Sequence, residues 1–202
     1  MWTTNRNIYA ERHQSLVSQL SPEKQEEFRM SNNKGENLIR LKRVRKPVFS
    51  DGDVFVLSPV DGIYFYGRVI ESQISSGIEW YDSGVIIFIF RCKSKEKTLT
   101  NFVPDYNQVW IGPSIVPKTY WTNGWFETIG NIPLTEEEKK LDYGFFNMDA
   151  LWRVGWFQTS DGKKLDHIPK FFSLYAIKTY TGIFSSLKLR MLLEPKILDF
   201  EM

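Results

Sequence analysis

The sequence is poor in the residues that build metal centres, disulfide frameworks and activated nucleophiles. It contains one cysteine, Cys92, and two histidines, His13 and His167, which lie far apart along the chain. A zinc site takes three or four Cys, His or carboxylate ligands, usually in closely spaced pairs, and a disulfide requires two thiols. The sequence therefore predicts neither a metal nor any other cofactor. A single thiol that closes an apolar strand is expected to be a small buried hydrophobe in a reducing compartment.

Long apolar runs are also missing. The longest, Gly84 to Phe90, falls well short of the roughly 18 residues that a membrane-spanning helix needs. The N-terminus has neither the apolar stretch nor the small-residue cleavage site of a signal peptide. We therefore expect a cytoplasmic protein that does not associate with a membrane.

The sequence lacks the common catalytic and nucleotide-binding motifs. No segment fits a phosphate-binding loop or the dinucleotide fingerprint. A Cys92–His167 nucleophile pair is formally possible, but the residues around Cys92 do not predict a lowered thiol pKa. Carboxylate pairs that are distant in sequence stay open as an alternative. Taken together, these observations predict a protein that is not an enzyme.

Aromatic residues, by contrast, are abundant. They make up 15 % of the 202 residues, and apolar residues make up 42 %, which is enough for the packed core of one domain. Charge is unevenly distributed, since residues 1–50 hold 10 basic and 5 acidic side chains and residues 51–166 hold 11 basic and 16 acidic ones. We predict a basic, mainly helical N-terminal extension, residues 1–50, attached to a β-rich domain, residues 51–202, with an acidic central part.

Helix signals occur near both ends and once in the middle. Apolar residues recur at helical spacing in residues 8–20, and Ser21-Pro22-Glu23 is a typical helix start, with Asn32 to Gly35 as the end. Thr135 followed by Glu136, Glu137 and Glu138 predicts a short capped helix. A C-terminal amphipathic helix is predicted by apolar residues at spacings of 3, 4, 3 and 4: Ile177, Tyr180, Phe184, Leu187 and Met191.

From Asp51 onward the sequence favours strands. Residues 52–71 predict a hairpin with Asp61-Gly62 in its turn, because glycine reaches positive φ without steric cost. Gly67 in the second strand indicates a bend or the close approach of another backbone. Gly84 to Cys92 is apolar on both faces and therefore predicts a central strand.

Two further turns are predicted downstream. Asn123-Gly124 favours a hairpin with a two-residue loop, and Ser160 to Gly162 favours a turn between strands at residues 151–158 and 163–168. The predicted fold is α+β and strand-dominated, with one antiparallel, strongly bent sheet or part-open barrel flanked by N- and C-terminal helices.

A basic run at residues 40–46 places five cations in seven residues. One interpretation is a nucleic-acid-binding arm, which with stacked tyrosines such as Tyr64 and Tyr66 would give a small-barrel protein that binds single strands. The other interpretation is a solvated edge strand whose cations discourage edge-to-edge pairing. We favour the second and keep the first as the alternative function.

Seven tryptophans stand out among the aromatic residues. Tryptophan fills cores, but it is also the residue type most enriched at interface hot spots. Core is the expected place for most of them. Trp80 is the better interface candidate, because it lies in a polar connection between two predicted strands.

Two separated segments resemble the immunity protein 26 family of bacterial polymorphic toxin and contact-dependent inhibition systems. The first comprises Gly52 to Phe55, Asp61-Gly62 and Tyr64 to Ile70, and the second is Trp125 to Leu134, followed by Phe145-Phe146 and Asp149. The resemblance covers roughly Asp51 to His167. Residues 1–50 have no counterpart in the short members of the family, and the tail beyond His167 is hard to match.

The resemblance implies a cytoplasmic immunity protein that binds the toxic C-terminal domain of a cognate effector and blocks it without catalysis or cofactor. The acidic central part would complement a cationic toxin such as a nuclease, although the basic arm argues against this. We predict that acidic and aromatic loops bind the toxin: Asp61, Glu79, Trp80, Tyr81, Asp82, Glu136, Glu137 and Glu138.

Overall fold

The computed structural model describes residues 2–179 and 181–200, which form a strand-dominated α+β fold, as predicted. The helices are α1 (Ile8–Val17), α2 (Pro22–Lys34), α3 (Glu79–Asp82), α4 (Thr119–Thr122) and α5 (Gly182–Leu193). The strands are β1 (Asp53–Val60), β2 (Ile63–Glu71), β3 (Gly84–Ser94), β4 (Val109–Pro117), β5 (Phe126–Asn131), β6 (Tyr143–Met148), β7 (Gly155–Gln158) and β8 (Phe171–Leu174).

A five-stranded antiparallel sheet forms the body, in the order β4-β3-β2-β1-β5. The predicted first hairpin is confirmed, with Asp61-Gly62 as its turn and Gly62 at φ +72°. The predicted central strand is confirmed as β3, which lies between β2 and β4. The bend or backbone approach expected at Gly67 has a specific form, because a Cβ there would overlap the ring of Phe55.

The sheet is buried on both faces. On one face Phe55, Phe65 and Ile87 pack against α5, and Trp121 adds its ring to this cluster. On the other face Val54, Tyr66 and Phe88 form a second cluster. Alternation along β1 and β2 sends neighbouring side chains to opposite faces, so a sheet covered on both sides needs strands that are apolar at nearly every position.

A smaller sheet, in the order β7-β6-β8, covers the second face. Strands β6 and β7 are antiparallel, whereas β6 and β8 are parallel. Phe171 of β8 and Tyr143 of β6 pack edge-on against Phe88, with ring centroids 5.6 and 5.8 Å away. The described residues thus form two packed sheets, and neither closes into a barrel.

Of the N-terminal helices, α2 begins and ends at the predicted signals, whereas α1 ends at Val17, before the predicted Leu20. The Ser21 hydroxyl accepts a hydrogen bond from the amide of Lys24 at the start of α2, and Gly35 ends the helix at φ +64°. Leu20 and Phe28 pack against Leu189 and Leu192 of α5. Before α1, Thr4 pairs with Gly155 at the edge of β7.

Two predicted hairpin features are wrong. Asn123-Gly124 is the end of α4 and not a hairpin turn: Gly124 at φ +79° donates to the carbonyl of Trp121 and the Trp125 amide donates to that of Tyr120. A glycine with positive φ is as suitable for a helix end as for a hairpin turn. Here the helix is favoured because it buries the rings of Tyr120 and Trp121 in the core. Residues 163–168 form no strand and make only an isolated bridge between Lys164 and Gln158.

The predicted C-terminal helix is confirmed over a shorter range. Ile177 precedes it and pairs with Ile115 as a single bridge, and Tyr180 lies outside the described residues. Phe184, Leu187 and Met191 lie within α5 and are buried in the core.

Candidate functional site

The predicted contact residues lie at two opposite ends of the large sheet. β1 begins at Asp53, opposite the end of β5 at Asn131, and its Val54 lies opposite Arg68 near the end of β2. The segments that follow β2 and β5 therefore leave the sheet at the same end. Asp61, in the turn after β1, lies at the other end, about 25 Å away at roughly 3.3 Å per strand residue.

Trp80 is the most exposed of the predicted aromatic residues. It lies in α3 and keeps 78 % of its surface exposed. Ile78, just before it, is 47 % exposed. A tryptophan left in water on a rigid turn gives up little conformational entropy when a partner covers it, which is typical of a hot spot.

Tyr81 holds this turn to the smaller sheet. Its ring stacks on that of Tyr175, with centroids 4.5 Å apart, and its hydroxyl donates to the Tyr175 carbonyl at 3.2 Å. Asp82 closes the preceding loop, since its Oδ1 accepts hydrogen bonds from the amide and hydroxyl of Ser76, both at 2.7 Å. Glu79 and Trp80 are thus presented to solvent by neighbours that are themselves anchored.

Of the three predicted glutamates, two are exposed at the surface and one is buried. The Glu138 amide donates to the Thr135 hydroxyl, and the Thr135 amide donates to the Glu138 carboxylate at 2.8 Å. This reciprocal arrangement is a capping box, here around a single 3₁₀ turn, Glu138–Lys140. Glu136 and Glu137 are exposed, whereas Glu138 is only 6 % exposed, so its carboxylate is not part of the surface.

Arg68 is the partner of Glu138 inside the protein. Its Nε lies 2.9 Å from Glu138 Oε1, and one terminal nitrogen donates to Glu138 Oε2 at 3.1 Å and to the Ile132 carbonyl at 2.8 Å. The Tyr106 hydroxyl also donates to this carboxylate, at 2.9 Å. The Arg68 side chain has no exposed surface, so the pair ties β2 to the segment after β5.

A second exposed tryptophan was not predicted. Trp152 is 67 % exposed at φ +57°, in the loop between β6 and β7. The Asp149 carboxylate holds this loop by accepting from the amides of Arg153 and Val154, and Leu151 beside it is 63 % exposed. The strand predicted at residues 151–158 is confirmed only from Gly155 onward, as β7. The positive φ of Trp152 and the hydrogen bonds of Asp149 place residues 151–154 in a loop.

Both exposed tryptophans lie near the same end of the smaller sheet. β6 and β8 are parallel, the Trp152 loop follows β6, and Tyr175, on which the Trp80 turn rests, follows β8. The Tyr175 amide donates to the Phe146 carbonyl of β6 at 2.8 Å. We call Ile78 to Trp80 together with Leu151 to Val154 the tryptophan surface.

The residues of the alternative interpretations lie elsewhere. Tyr66 is fully buried and stacks on Phe102, so its ring is not free to stack on a base. The cations of residues 40–46 are exposed, as expected of a solvated segment, although the segment is not a strand. Burial raises the pKa of the Cys92 thiol, which opposes thiolate chemistry. His167 lies between the carboxylates of Asp142 and Asp166, 2.9 Å from each.

Within the described residues no group of three His, Cys, Asp or Glu side chains could hold a metal ion. In the same part of the chain, no helix has the length and apolar character to cross a membrane.

The residues of the two recognisable segments serve the scaffold. Gly52, at φ +86°, accepts from the amide of Ile132, and a Cβ there would overlap the Ile132 carbonyl. Asp53 accepts from the side-chain amide of Asn131 at 2.8 Å. The two segments, some 80 residues apart in sequence, therefore meet at the β1–β5 pair.

The sequence model of a family described as Immunity protein 26 matches residues 50–152, just over half of the chain. No curated protein and no solved structure matches. The matched range includes both scaffold segments, the Trp80 turn and the Arg68–Glu138 pair. The chain therefore belongs to the immunity protein 26 family.

Proposed function

We propose that this protein binds the toxic C-terminal domain of a cognate effector in the cytoplasm and neutralises it by covering its active site, without catalysis. Membership of an immunity protein family supports a toxin domain as the partner. The observation that carries the proposed contact is Trp80, a large aromatic side chain that stays 78 % exposed on an anchored turn.

The tryptophan surface has the features of an interface centre with a polar rim. Trp80 and Trp152 would supply the apolar anchors. The exposed Glu79 and Asp82 flank Trp80 and would form the rim, and the exposed Glu136 and Glu137 follow β5 at the same end of the large sheet. Charge at an interface rim chiefly raises the association rate and selects the partner. A cationic toxin, such as a nuclease, fits this arrangement.

Co-expression tests the proposal. A bacterial strain that expresses the toxin domain encoded beside this gene should grow only when the protein is also present, and the two chains should co-purify. Failure of both with a toxin of verified activity would overturn the neutralising function.

Substitutions test the contact surface. Trp80→Ala and Trp152→Ala should each raise Kd by roughly 30-fold or more, which is the effect of losing a hot-spot side chain. Val103→Ala is the control, because Val103 is 78 % exposed and lies beside Cys92 and Ile197, away from the tryptophan surface. Unchanged Kd in both tryptophan variants, measured by calorimetry, would overturn this surface.

Asp61→Asn tests whether the toxin contacts only one end of the large sheet or extends along it to the other end. Asp61 belongs to the predicted set but lies at the other end. Weaker binding of this variant would extend the interface to the hairpin turn, and unchanged binding would restrict it to the tryptophan surface.

A further inference from the structure

A cavity of about 270 Å³ lies beside β4, the edge strand of the large sheet. Its walls come from α1, β4, the segment around β8, and α5. Of these, only β4 belongs to the range matched by the family. The cavity is therefore built largely by the parts of the chain outside the family match, and it is distinct from the tryptophan surface.

The lining of this cavity is basic. It includes Arg12, His13, Lys170, Lys178 and Arg190, and none of its residues, all within the described part of the chain, is acidic. None of these five groups lies within 4 Å of a carboxylate among the described ion pairs. Lys178 donates to the Tyr9 hydroxyl at 3.2 Å, and Glu194 acts on Arg190 from a distance. The four cations Arg12, Lys170, Lys178 and Arg190 nevertheless create a positive potential around one concavity, and a bound anion would relieve it.

Burial and neighbouring cations both act on two of these groups. Burial, and then the charge of Arg12, lowers the pKa of Arg190, while Glu194 opposes this shift. Burial, and then the charge of Lys178, lowers the pKa of His13, so its imidazole adds little positive charge. The contributions of Arg12 and Lys178 show that cations lie close together in this cavity, which favours an anionic ligand.

The rest of the lining is largely apolar, with four aromatic side chains, and it includes two unpaired polar atoms. The Arg12 guanidinium lies 4.8 Å from the ring centre of Phe172, and the Trp110 ring stacks on Phe65 at 4.8 Å. Trp110 Nε1 and Ser114 Oγ, both buried in this wall, have no hydrogen-bond partner among the described residues. Buried polar groups are almost always paired, so two unpaired ones in one wall mark an incomplete site.

We propose that this cavity binds a small organic anion that consists of a flat apolar body and a phosphate, sulfonate or carboxylate head. The body would lie against the aromatic wall, and the head would meet Arg12, Lys178 and Arg190. Small-molecule sites commonly combine a mostly apolar concavity of a few hundred cubic ångströms with a few placed polar groups. This proposal does not depend on the toxin contact.

Phenyl phosphate is the first probe, because its two halves can be tested separately as phenol and inorganic phosphate. Titrated into the full ¹⁵N-labelled chain, it should shift the Trp110 indole N–H resonance saturably and bind at least tenfold more tightly than either half. Benzoate and naphthalene-2-sulfonate test the other two heads. No saturable shift of this resonance with any of the three anions would overturn the proposal, and equal affinity for inorganic phosphate would overturn the apolar body.

Arg12→Gln tests the basic wall without threatening the fold, since Arg12 is exposed and takes part in none of the ion pairs between described residues. It should weaken phenyl phosphate at least fivefold. Arg40→Gln, an exposed arginine of the 40–46 segment away from the cavity, is the matched control and should bind as the unmodified chain does. The same affinity in both variants would refute the assignment of the anion to this cavity.

Discussion

Single residues in this protein show that a charged side chain can belong to the interior as readily as to the surface. Glu138 follows two exposed glutamates in sequence, yet it is buried against Arg68. Thr135 followed by three glutamates predicts a short capped helix, and the structure has a single 3₁₀ turn whose capping box directs Glu138 inward. The partner of Glu138 is 70 residues earlier, on β2, so no local pattern could indicate it.

Glu138→Gln is expected to lower the free energy of unfolding by about 3 kcal/mol, because it leaves the buried Arg68 guanidinium without a countercharge. Glu137→Gln, the exposed neighbour, should change it by less than about 0.5 kcal/mol. Urea denaturation followed by tryptophan fluorescence measures both. Equal stability of the two variants would contradict the structural role of the ion pair.

Ser114→Ala is expected to stabilise the fold by up to about 1 kcal/mol, because the buried hydroxyl has no hydrogen-bond partner to lose. Ser31→Ala is the comparison, since the equally buried Ser31 hydroxyl donates to Glu36 at 2.7 Å. That variant should lose about 1 kcal/mol. The same sign of change in both serine variants, measured by thermal unfolding, would show that the pairing of the hydroxyl does not decide its contribution.

At the scale of elements, short polar segments are held by a few specific contacts. α2 is polar along most of its length and packs on α5 through the Phe28 ring, with the Lys188–Glu27 ion pair and the hydrogen bond from Lys24 to the Leu192 carbonyl beside it. The segment before β8 is held to the start of β6 through His167, which contacts Asp142. Each of these elements therefore depends on a few side chains more than on its own helix or strand propensity.

Phe28→Ala is expected to cost about 3 kcal/mol, because it empties the contact between α2 and α5. Met30→Ala on the same helix should cost less than about 0.5 kcal/mol, since Met30 is 40 % exposed. Hydrogen exchange on α2 amides would locate the effect. A loss of stability in the Met30 variant alone would mean that α2 packs on α5 through the face that carries Met30.

The His167 contact makes stability depend on pH. Hydrogen bonds to Asp142 and Asp166 raise the pKa of His167 in the folded state. The folded protein therefore binds the His167 proton more tightly than the unfolded chain does. Its contribution is full below the unfolded pKa and is lost as pH rises through the folded pKa. His167→Asn should therefore lower stability at pH 5.5 and leave it nearly unchanged at pH 8.5.

The His13→Asn variant provides a contrast of opposite sign. Burial, followed by the charge of Lys178, lowers the pKa of His13, so its contribution is present above the unfolded pKa and lost as pH falls. Urea midpoints of both histidine variants at the two pH values measure this. Parallel pH dependence in the two variants would refute the assigned partners.

For the whole molecule, the features that identify the family and the features that would recognise a partner are physically separate. Gly52, Asp53 and Arg68 hold β1, β2 and β5 together from inside. Trp80 and Trp152 touch solvent on loops. Loops can vary while a buried scaffold persists, which suits proteins that share one fold and recognise different partners.

This separation predicts that two tryptophan substitutions change stability by very different amounts. Trp121→Ala should lower the free energy of unfolding by about 4 kcal/mol, because its ring is buried against Phe55 and Phe126. Trp80→Ala should change it by less than about 0.5 kcal/mol. Chemical denaturation of both variants tests the separation, and a large loss in the Trp80 variant would make that residue part of the scaffold.

The sequence by itself determined the elements whose signals are local: the first hairpin with Asp61-Gly62, the apolar central strand, the caps of α2, and the two segments that identify the family. Backbone conformation and apolar periodicity act over a few residues, so they can be recognised without the fold. Only the tertiary structure decided that Gly124 follows a helix and is not in a hairpin turn, that Glu138 is buried, and that Trp152 is exposed. These depend on which distant side chains occupy the neighbouring space, and the basic cavity depends on α1, β4 and α5 meeting, which no local pattern predicts.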